Sequence, residues 1–273
     1  MKHLIKFYRL LNILSIDVAL GSVCCAAWFA EMFNAALKPY ALMSLGLTVW
    51  IIYTADHLLD ARKIKEPAST ERHRYHQKNF RLLLSVLFFA VLVDLIFVFL
   101  LRRIVFQWGL VLSVCVGIYF LMQKYLKYLK ELTVALLFSF GVLLPAWSLA
   151  QSQPDVSDLL LVSQFVLTAL LNLLLFSWYD RDNDRQDKRE SVVTLLGDER
   201  IKIIVWFTFA LNAALMVGSI LIFSEELSSV LIIFFMNAIL LWIFIQPRLF
   251  EVDDRFRLVG DSIFLLPLIY LFT

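Results

Sequence analysis

Two clusters of aspartates in this sequence are spaced as neighbours on one face of a helix. Asp56 and Asp60 lie four residues apart at the end of an apolar stretch, and Asp180, Asp184 and Asp187 follow another at intervals of four and three. Side chains at such intervals share a helix face, where like charges destabilise the helix by about a few tenths of a kcal/mol per pair. A bound divalent cation would offset this repulsion.

Mg²⁺ is the cation that such clusters favour. It is a hard ion that prefers oxygen ligands, and it is usually shared between one or two carboxylates, several waters and the phosphates of a substrate. Two clusters at equivalent depth would therefore hold a diphosphate, while Asp182 points to another side of its helix. In the alternative interpretation the acids only pair with adjacent bases, which are Arg62, Lys63, Arg181, Arg185 and Lys188.

The elements that carry these clusters are expected to be membrane-spanning helices. Of the 273 residues, 61% are hydrophobic and 18% are charged, and the mean hydropathy is positive. This leaves too little polar surface for a soluble globule. A spanning helix needs roughly 20 apolar residues. The sequence predicts nine such stretches, at residues 10–30, 39–59, 80–101, 104–122, 131–150, 159–179, 201–223, 227–246 and 256–273.

The distribution of basic residues predicts the orientation of these helices. If the N-terminus is cytoplasmic, all of the 25 Lys and Arg residues except Lys38, Arg102 and Arg103 fall in inner segments. Inner loops of membrane proteins carry an excess of Lys and Arg. We therefore expect a cytoplasmic N-terminus, an outer C-terminus and both aspartate clusters at the cytoplasmic side.

The remaining composition assigns no other chemistry. Cys24, Cys25 and Cys115 lie in apolar stretches, and their spacing matches no metal or redox motif. Neither a glycine-rich phosphate loop nor a zinc-ligand spacing stands out. We expect a single membrane-embedded domain over residues 1–273, in contact with the lipid bilayer and with no nucleic acid partner.

The pattern resembles the UbiA superfamily of intramembrane prenyltransferases, whose members carry N-x-x-x-D-x-x-x-D after helix 2 and D-x-x-x-D after helix 6. The block DRDNDRQDKRES followed by VVTLLG is similar to the second motif with its downstream Ser or Thr and its glycine. The first motif is divergent, since Ile52 occupies the Asn position before Asp56 and Asp60. Tyr53 is the nearest polar residue that would compensate, although a tyrosine there is equally typical of the interfacial belt.

This resemblance implies an all-α polytopic membrane protein with about nine helices around a central cavity. It further implies Mg²⁺-dependent transfer of a prenyl group from an allylic prenyl diphosphate to an aromatic or lipid acceptor, whose identity the sequence leaves open. The catalytic residues would be Asp56, Asp60, Asp180 and Asp184, which together with Asp187 would bind the metal.

Five further residues are predicted to contact the diphosphate. The superfamily places a Tyr and a Lys after helix 4, where KYLKYLKE gives no unique alignment. Lys127 and Lys130 are preferred there, with anchoring at the cytoplasmic interface as the alternative. Arg181, Tyr53 and Asn172 complete the set.

Asn172 would orient an acceptor or an aspartate, unless it only hydrogen-bonds between helices. The basic segment after the first cluster, with His73 and His76, would suit a flap over an anionic headgroup or a membrane anchor. Asp17, Asp94 and Asp261 lie in or near apolar stretches, where ionisable groups usually face the bundle interior or a cavity.

Two other functions would use the same residues differently. An intramembrane terpene cyclase would have the same diphosphate site without an acceptor. An ion-coupled transporter would be expected to show broken helices and charges near the midplane, whereas these acids lie at one interface.

Overall fold

The computed structural model describes residues 2–64, 67–151, 154–222 and 227–271, and every regular element in these ranges is helical. Short 3₁₀ turns occupy Lys127–Leu129, Val252–Asp254 and Ile263–Leu265. The α-helices, numbered α1 to α15 in chain order, are Lys2–Ile13, Ile16–Met32, Pro39–Lys63, Glu71–Lys78, Phe80–Leu100, Arg103–Leu126, Lys130–Ser148, Val156–Tyr179, Arg181–Gln186, Val192–Leu196, Asp198–Ile222, Leu227–Ile245, Pro247–Phe250, Arg255–Ser262 and Pro267–Leu271.

Six segments of the described chain are long and apolar enough to cross a membrane, or seven if α1 and α2 count as one broken span. One of the six, Arg103–Ser148, has 46 residues, more than twice what a bilayer requires. The chain reverses in this segment near Lys127, where φ is 40°. A Cβ on Gly141 would lie 3.6 Å from Leu112 Cδ2, so α6 and α7 pack side by side as two spans.

The predicted number of nine spans is not confirmed. The last predicted stretch, residues 256–273, consists within the described part of α14, a 3₁₀ turn and α15. None of these pieces is long enough to cross a membrane by itself.

The first predicted span, residues 10–30, is also interrupted, because α1 and α2 meet at an angle of 82°. The break lies at Ser15, whose φ of 56° is left-handed. A broken helix leaves carbonyl groups without intrahelical donors. Trp50 Nε1 donates to the Leu14 carbonyl over 2.9 Å, and the Asn12 carbonyl accepts from Ser15 N and from Arg72, each over 3.0 Å.

Helix α8 is the most buried of the spans, and α5 is among the least. Phe165 and Leu171 of α8 have no exposed surface, and α8 packs against α7, α11 and α12. Helix α5 packs along α3, and most of its exposed side chains are apolar. Its buried Asp94 accepts hydrogen bonds of 2.7 Å from both Ser44 and Thr48 of α3.

The helices that carry the aspartate clusters end together. Pro39 starts α3 at a position that a helix tolerates well, and α8 starts with a capping box between Asp155 and Asp158. Each span then runs to its aspartates, and the short helices α4, α9 and α10 follow directly. Gly197 ends α10 with φ of 87°, a conformation that favours glycine.

The short helix α14 approaches α8 closely through Gly260. A Cβ at this position would lie 2.6 Å from Asn172 Oδ1 and 2.7 Å from Phe176 Cε1. Tyr179 of α8 stacks on Phe256 of α14 with ring centroids 4.4 Å apart. Helix α14 is therefore fixed against the end of α8 that carries the second aspartate cluster.

We predict that Gly260→Ala destabilises the protein. The added methyl group would overpack the contact between α14 and α8, which typically costs about 1–3 kcal/mol. Gly218→Ala is the matched control, because nothing lies within 4 Å of a Cβ there and alanine is the better helix former by about 1 kcal/mol. Thermal unfolding in detergent should show a lower melting temperature for Gly260→Ala alone. Equal melting temperatures for the two variants would contradict the close approach.

Candidate active site

A cavity of about 190 Å³ lies where α3 and α8 end, and we call it the central cavity. Its wall includes α4, α7, α14 and the segment before α10. Seven of the residues predicted from the sequence line it, namely Tyr53, Asp56, Asp60, Lys130, Asn172, Asp180 and Asp184. The structure therefore brings together the two aspartate clusters, which are 120 residues apart in the chain.

The four aspartates of the central cavity are largely withdrawn from solvent. Asp60, Asp180 and Asp184 are 5%, 7% and 7% exposed. Asp56 Oδ1 is buried and accepts no hydrogen bond from any described residue. A buried carboxylate oxygen without a partner is costly, so this atom is available to a cation or to a hydrogen-bond donor.

Among the described residues, three bases form ion pairs with these carboxylates. Arg189 pairs with Asp60 and lies 3.7 Å from Asp184. Lys63 Nζ is 3.0 Å from Asp60 Oδ1.

Arg257 of α14 pairs with Asp180. The sequence analysis assigned a role to neither Arg189 nor Arg257. Arg189 lies inside the block DKRES, and Arg257 is a cation in the final apolar stretch, a kind of residue that usually has a function.

The central cavity still carries an excess of acidic groups. Its described lining contains seven carboxylic side chains and four Lys or Arg side chains, an excess of three negative charges when all are ionised. An anionic ligand would therefore need accompanying cations. The acids are Asp56, Asp60, Glu131, Asp180, Asp184, Glu190 and Asp261, and the bases are Arg72, Lys130, Arg189 and Arg257.

Polar contacts join the start of α4 to the wall of this acidic cavity. Thr70 Oγ1 lies 2.7 Å from His73 Nδ1, and Arg189 lies 3.1 Å from His73 Nε2. Burial, together with Arg189, lowers the pKa of His73 to about 2, while burial raises the pKa of Asp184 against the opposing effect of Arg189. His73 is therefore a neutral imidazole at physiological pH.

Three predicted residues lie outside the central cavity lining. Asp187 accepts hydrogen bonds from Ser69 N at 3.1 Å and from Ser69 Oγ at 2.9 Å. Lys127 is exposed at the turn between α6 and α7. Arg181 lies over the Trp178 ring and donates to the Trp178 carbonyl. The positions of these three side chains do not support metal or diphosphate binding.

Asp187 instead joins the segment before α4 to the end of α9. Spacing alone could not show this, because the partner Ser69 is 118 residues away. Asp182, which the sequence analysis set aside, is exposed and pairs with Arg185 at 3.2 Å.

The divergent position of the first motif, Ile52, is not part of the cavity lining, whereas Tyr53 is. Among the other polar residues of the spans, Asp261 lines the central cavity and Asp94 belongs to the contact between α3 and α5. Asp17 and Asp261 share the Asn12 side-chain amide at 2.6 and 2.8 Å.

The carboxylates of the central cavity would supply only some of the oxygen ligands that Mg²⁺ needs. Within the described ranges no three His, Cys, Asp or Glu side chains are placed to hold a metal ion. Mg²⁺ usually takes only one or two carboxylates and completes its shell with water and substrate phosphates. The unpartnered Asp56 Oδ1 and the neighbouring Asp60 match that requirement on one wall, and Asp180 and Asp184 match it on the other.

The described part of the chain is thus a bundle of helices in which two aspartate pairs line one cavity. The chain belongs to the UbiA prenyltransferase family, whose sequence profile matches residues 70–258. Together with its apolar spans, this makes it an integral multi-pass membrane protein. No curated protein matches the sequence.

Solved structures of archaeal UbiA homologues share the fold. A homologue from Archaeoglobus fulgidus bound to GPP and Mg²⁺ gives a TM-score of 0.68 at 13% identity, over 96% of this chain and 99% of that one. The same homologue bound to Cd²⁺ gives a TM-score of 0.66 at 13% identity with the same coverage. The apo homologue from Aeropyrum pernix K1 gives 0.68 at 14% identity, over 94% and 99% of the two chains.

We predict that the stability of the protein falls in mild acid because of His73. The unfolded chain takes up a proton near the ordinary histidine pKa of 6.5, while buried His73 stays neutral until about pH 2. Burial of His73 therefore does not lower the free energy of unfolding above pH ~6.5. Below that pH it lowers this free energy by up to about 1.4 kcal/mol per pH unit. His73→Gln should therefore reduce the loss of melting temperature between about pH 7.5 and pH 5.5. The exposed His3→Gln is the control, and an equal slope in both variants would contradict the burial of a neutral imidazole.

Proposed function

We propose that this protein transfers a prenyl group from an allylic prenyl diphosphate to an acceptor within the membrane, with Mg²⁺ as cofactor. The observation that carries the proposal is the meeting of two aspartate pairs, Asp56 with Asp60 and Asp180 with Asp184, in one buried cavity. Membership of the UbiA prenyltransferase family supports the reaction class. The homologue structure with GPP and Mg²⁺ supports the choice of donor and metal.

The aspartates would bind the diphosphate through the metal. When bound, Mg²⁺ would neutralise the developing charge of the diphosphate as it leaves. Because the cavity lining has an excess of negative charge, the diphosphate could not bind there without such cations. The proposal therefore requires strict metal dependence.

Lys130 and Arg189 would complete the binding of the diphosphate. Both line the central cavity. Both also oppose the rise in the pKa of Asp184 that burial causes. Glu131 holds the adjacent helix in place, since its Oε1 accepts a 3.1 Å hydrogen bond from Val192 N at the start of α10. A carboxylate at a helix N-terminus is favourable.

The apolar part of the cavity would accommodate the prenyl tail. Its lining there consists of the apolar side chains Val18, Val134, Phe138, Ala169, Leu173 and Phe264. Phe138 and Phe264 contact each other with ring centroids 5.1 Å apart. Such a surface excludes water, which would otherwise react with an allylic cation.

Residues 67–78, the described part of the basic segment that ends in α4, would act as a flap that closes the polar end of the cavity. Its contacts through Ser69 to Asp187 and through His73 to Arg189 join the segments that follow the two aspartate clusters. We infer that this end faces the cytoplasm, as the distribution of Lys and Arg predicts, with the N-terminus on the same side and the C-terminus outside.

The experiment is an assay of prenyl diphosphate turnover by the full chain in liposomes, with Mg²⁺ and labelled geranyl diphosphate. Asp56→Asn and Asp180→Asn should each lower diphosphate release by about a hundredfold or more, as expected when a group that stabilises transition-state charge is lost. Asp182→Asn is the matched control, because that side chain is exposed and outside the cavity lining. Equal release by all four proteins would refute the proposal.

Product analysis of the same reaction separates transfer from cyclisation. A transferase needs an added acceptor lipid or aromatic compound to form a prenylated product. A cyclase would convert labelled geranyl diphosphate into a cyclic hydrocarbon or alcohol in its absence. Formation of a cyclic product alone would overturn the transferase assignment while leaving the diphosphate site intact.

We further predict different outcomes for two neighbouring aspartates. Asp184→Asn should abolish Mg²⁺-dependent turnover, because Asp184 lines the central cavity. Asp187→Asn should keep the Mg²⁺ dependence and lower the melting temperature, because its hydrogen bonds to Ser69 are structural and are worth about 1 kcal/mol each. Turnover at varied Mg²⁺ and thermal unfolding measure the two effects. A lost Mg²⁺ response in Asp187→Asn would return this residue to the metal ligands.

A further inference from the structure

Arg257 is the feature of the central cavity that the aspartate motifs do not explain. It lies on α14, 77 residues after Asp180, yet its NH2 group pairs with Asp180 Oδ2. The side chains of Arg257 and Asp180 are only 17% and 10% exposed. A buried pair of this kind is strongly destabilised when one partner is removed.

Two aromatic rings hold the guanidinium group independently of Asp180. Its Cζ atom lies 5.1 Å from the centroid of Phe176 and 5.3 Å from that of Phe256. A cation over an aromatic face is attracted at such distances. Arg257 would therefore remain beside the cavity if Asp180 turned to another partner.

Mg²⁺ and Arg257 compete for the same carboxylate. An Asp180 oxygen that coordinates a metal ion cannot also keep its full ion pair with the guanidinium group. Arg257 would then need another anion close by, because an unpaired buried charge is costly. Asp261 lies one turn further along α14, but Asn12 donates to it over 2.8 Å and Arg72 lies 3.7 Å from it. Asp261 is therefore already occupied by other groups.

The diphosphate is the remaining anion that chemistry would bring to this point. A guanidinium group donates in a planar fork that matches two phosphate oxygens. Resting on the function proposed above, we propose that Arg257 holds Asp180 in the substrate-free protein and moves to the diphosphate when Mg²⁺ binds Asp180. Arg257 is in this sense a substrate-binding residue supplied by α14, and its exchange makes binding of metal and substrate interdependent.

The exchange predicts two effects of opposite sign for Arg257→Gln. Without the competing cation, Mn²⁺ alone should bind more tightly, which the electron paramagnetic resonance signal of free Mn²⁺ measures. A non-hydrolysable thiolo analogue of geranyl diphosphate, titrated with saturating Mg²⁺, should bind about tenfold or more weakly, since hydrogen bonds between charged groups are lost. The control is Arg255→Gln, an exposed residue of the same helix, which should change neither affinity.

The two affinities also distinguish the exchange from a purely structural ion pair. A structural role predicts that both affinities fall together with the melting temperature, and that result would overturn the proposal, as would two unchanged affinities. Arg257→Lys is the second variant, in case the glutamine variant does not fold. Lysine keeps the positive charge but lacks the planar pair of N–H donors. The analogue should therefore bind more weakly, while Mn²⁺ affinity stays at or above the wild-type value.

The same titrations distinguish failure of the proposed function from failure of the proposed role of Arg257 alone. If the wild-type protein does not bind the analogue with Mg²⁺, the diphosphate site itself is refuted. If the wild type binds it and Arg257→Gln and Arg257→Lys bind it equally well, only the role of Arg257 is refuted.

Discussion

Buried carboxylates next to an apolar bundle need positive charge close by, and this requirement determines much of the structure. Asp60, Asp180 and Asp184 are each less than a tenth exposed. Each cation that meets them comes from a different part of the chain, Lys63 from the end of α3, Arg189 from the segment before α10 and Arg257 from α14. Arg189 and Arg257 thus connect two later segments of the chain to the aspartates, in addition to the aromatic contact that fixes α14 against α8.

The helices around the site reflect the same requirement. Helix α14 reaches Asp180 because Gly260 lets it approach α8. Helix α4 is held beside the cavity because Arg72 donates to the Asn12 carbonyl near the bend and because Ser69, just before the helix, donates to Asp187. The bend in the first apolar stretch and the short helix α14 thus both contribute to the site.

The sequence revealed the components of the site better than their arrangement. Helical spacing identified Asp56, Asp60, Asp180 and Asp184, because residues four apart share a face in any helix. Apolar runs of the required length indicated most of the spans, but not the interruptions in the first and last predicted ones. The predicted metal role of Asp187 and diphosphate roles of Lys127 and Arg181 are not supported by their positions, since periodicity cannot say which side of a loop faces a cavity.

Long-range pairing accounts for most of what the sequence could not show. Arg257 and Asp180 lie on separate helices, and neither hydropathy nor spacing links them. The bend at Ser15 likewise depends on donors from Trp50 and Arg72 that lie far along the chain. The family profile begins at residue 70, after the first aspartate pair, so only the spatial meeting of the two pairs supports the divergent motif.

The hydroxyl groups that surround Asp94 have a consequence for how the protein is made. An aspartate within a spanning helix opposes membrane insertion, by about 2.5–3.5 kcal/mol at the helix centre, and most exposed side chains of α5 are apolar. Ser44 and Thr48 of α3 supply both carboxylate oxygens with donors. Because α3 precedes α5 in the chain, these donors are already made when α5 is inserted, and pairing with α3 would lower the cost of placing Asp94 in the bilayer.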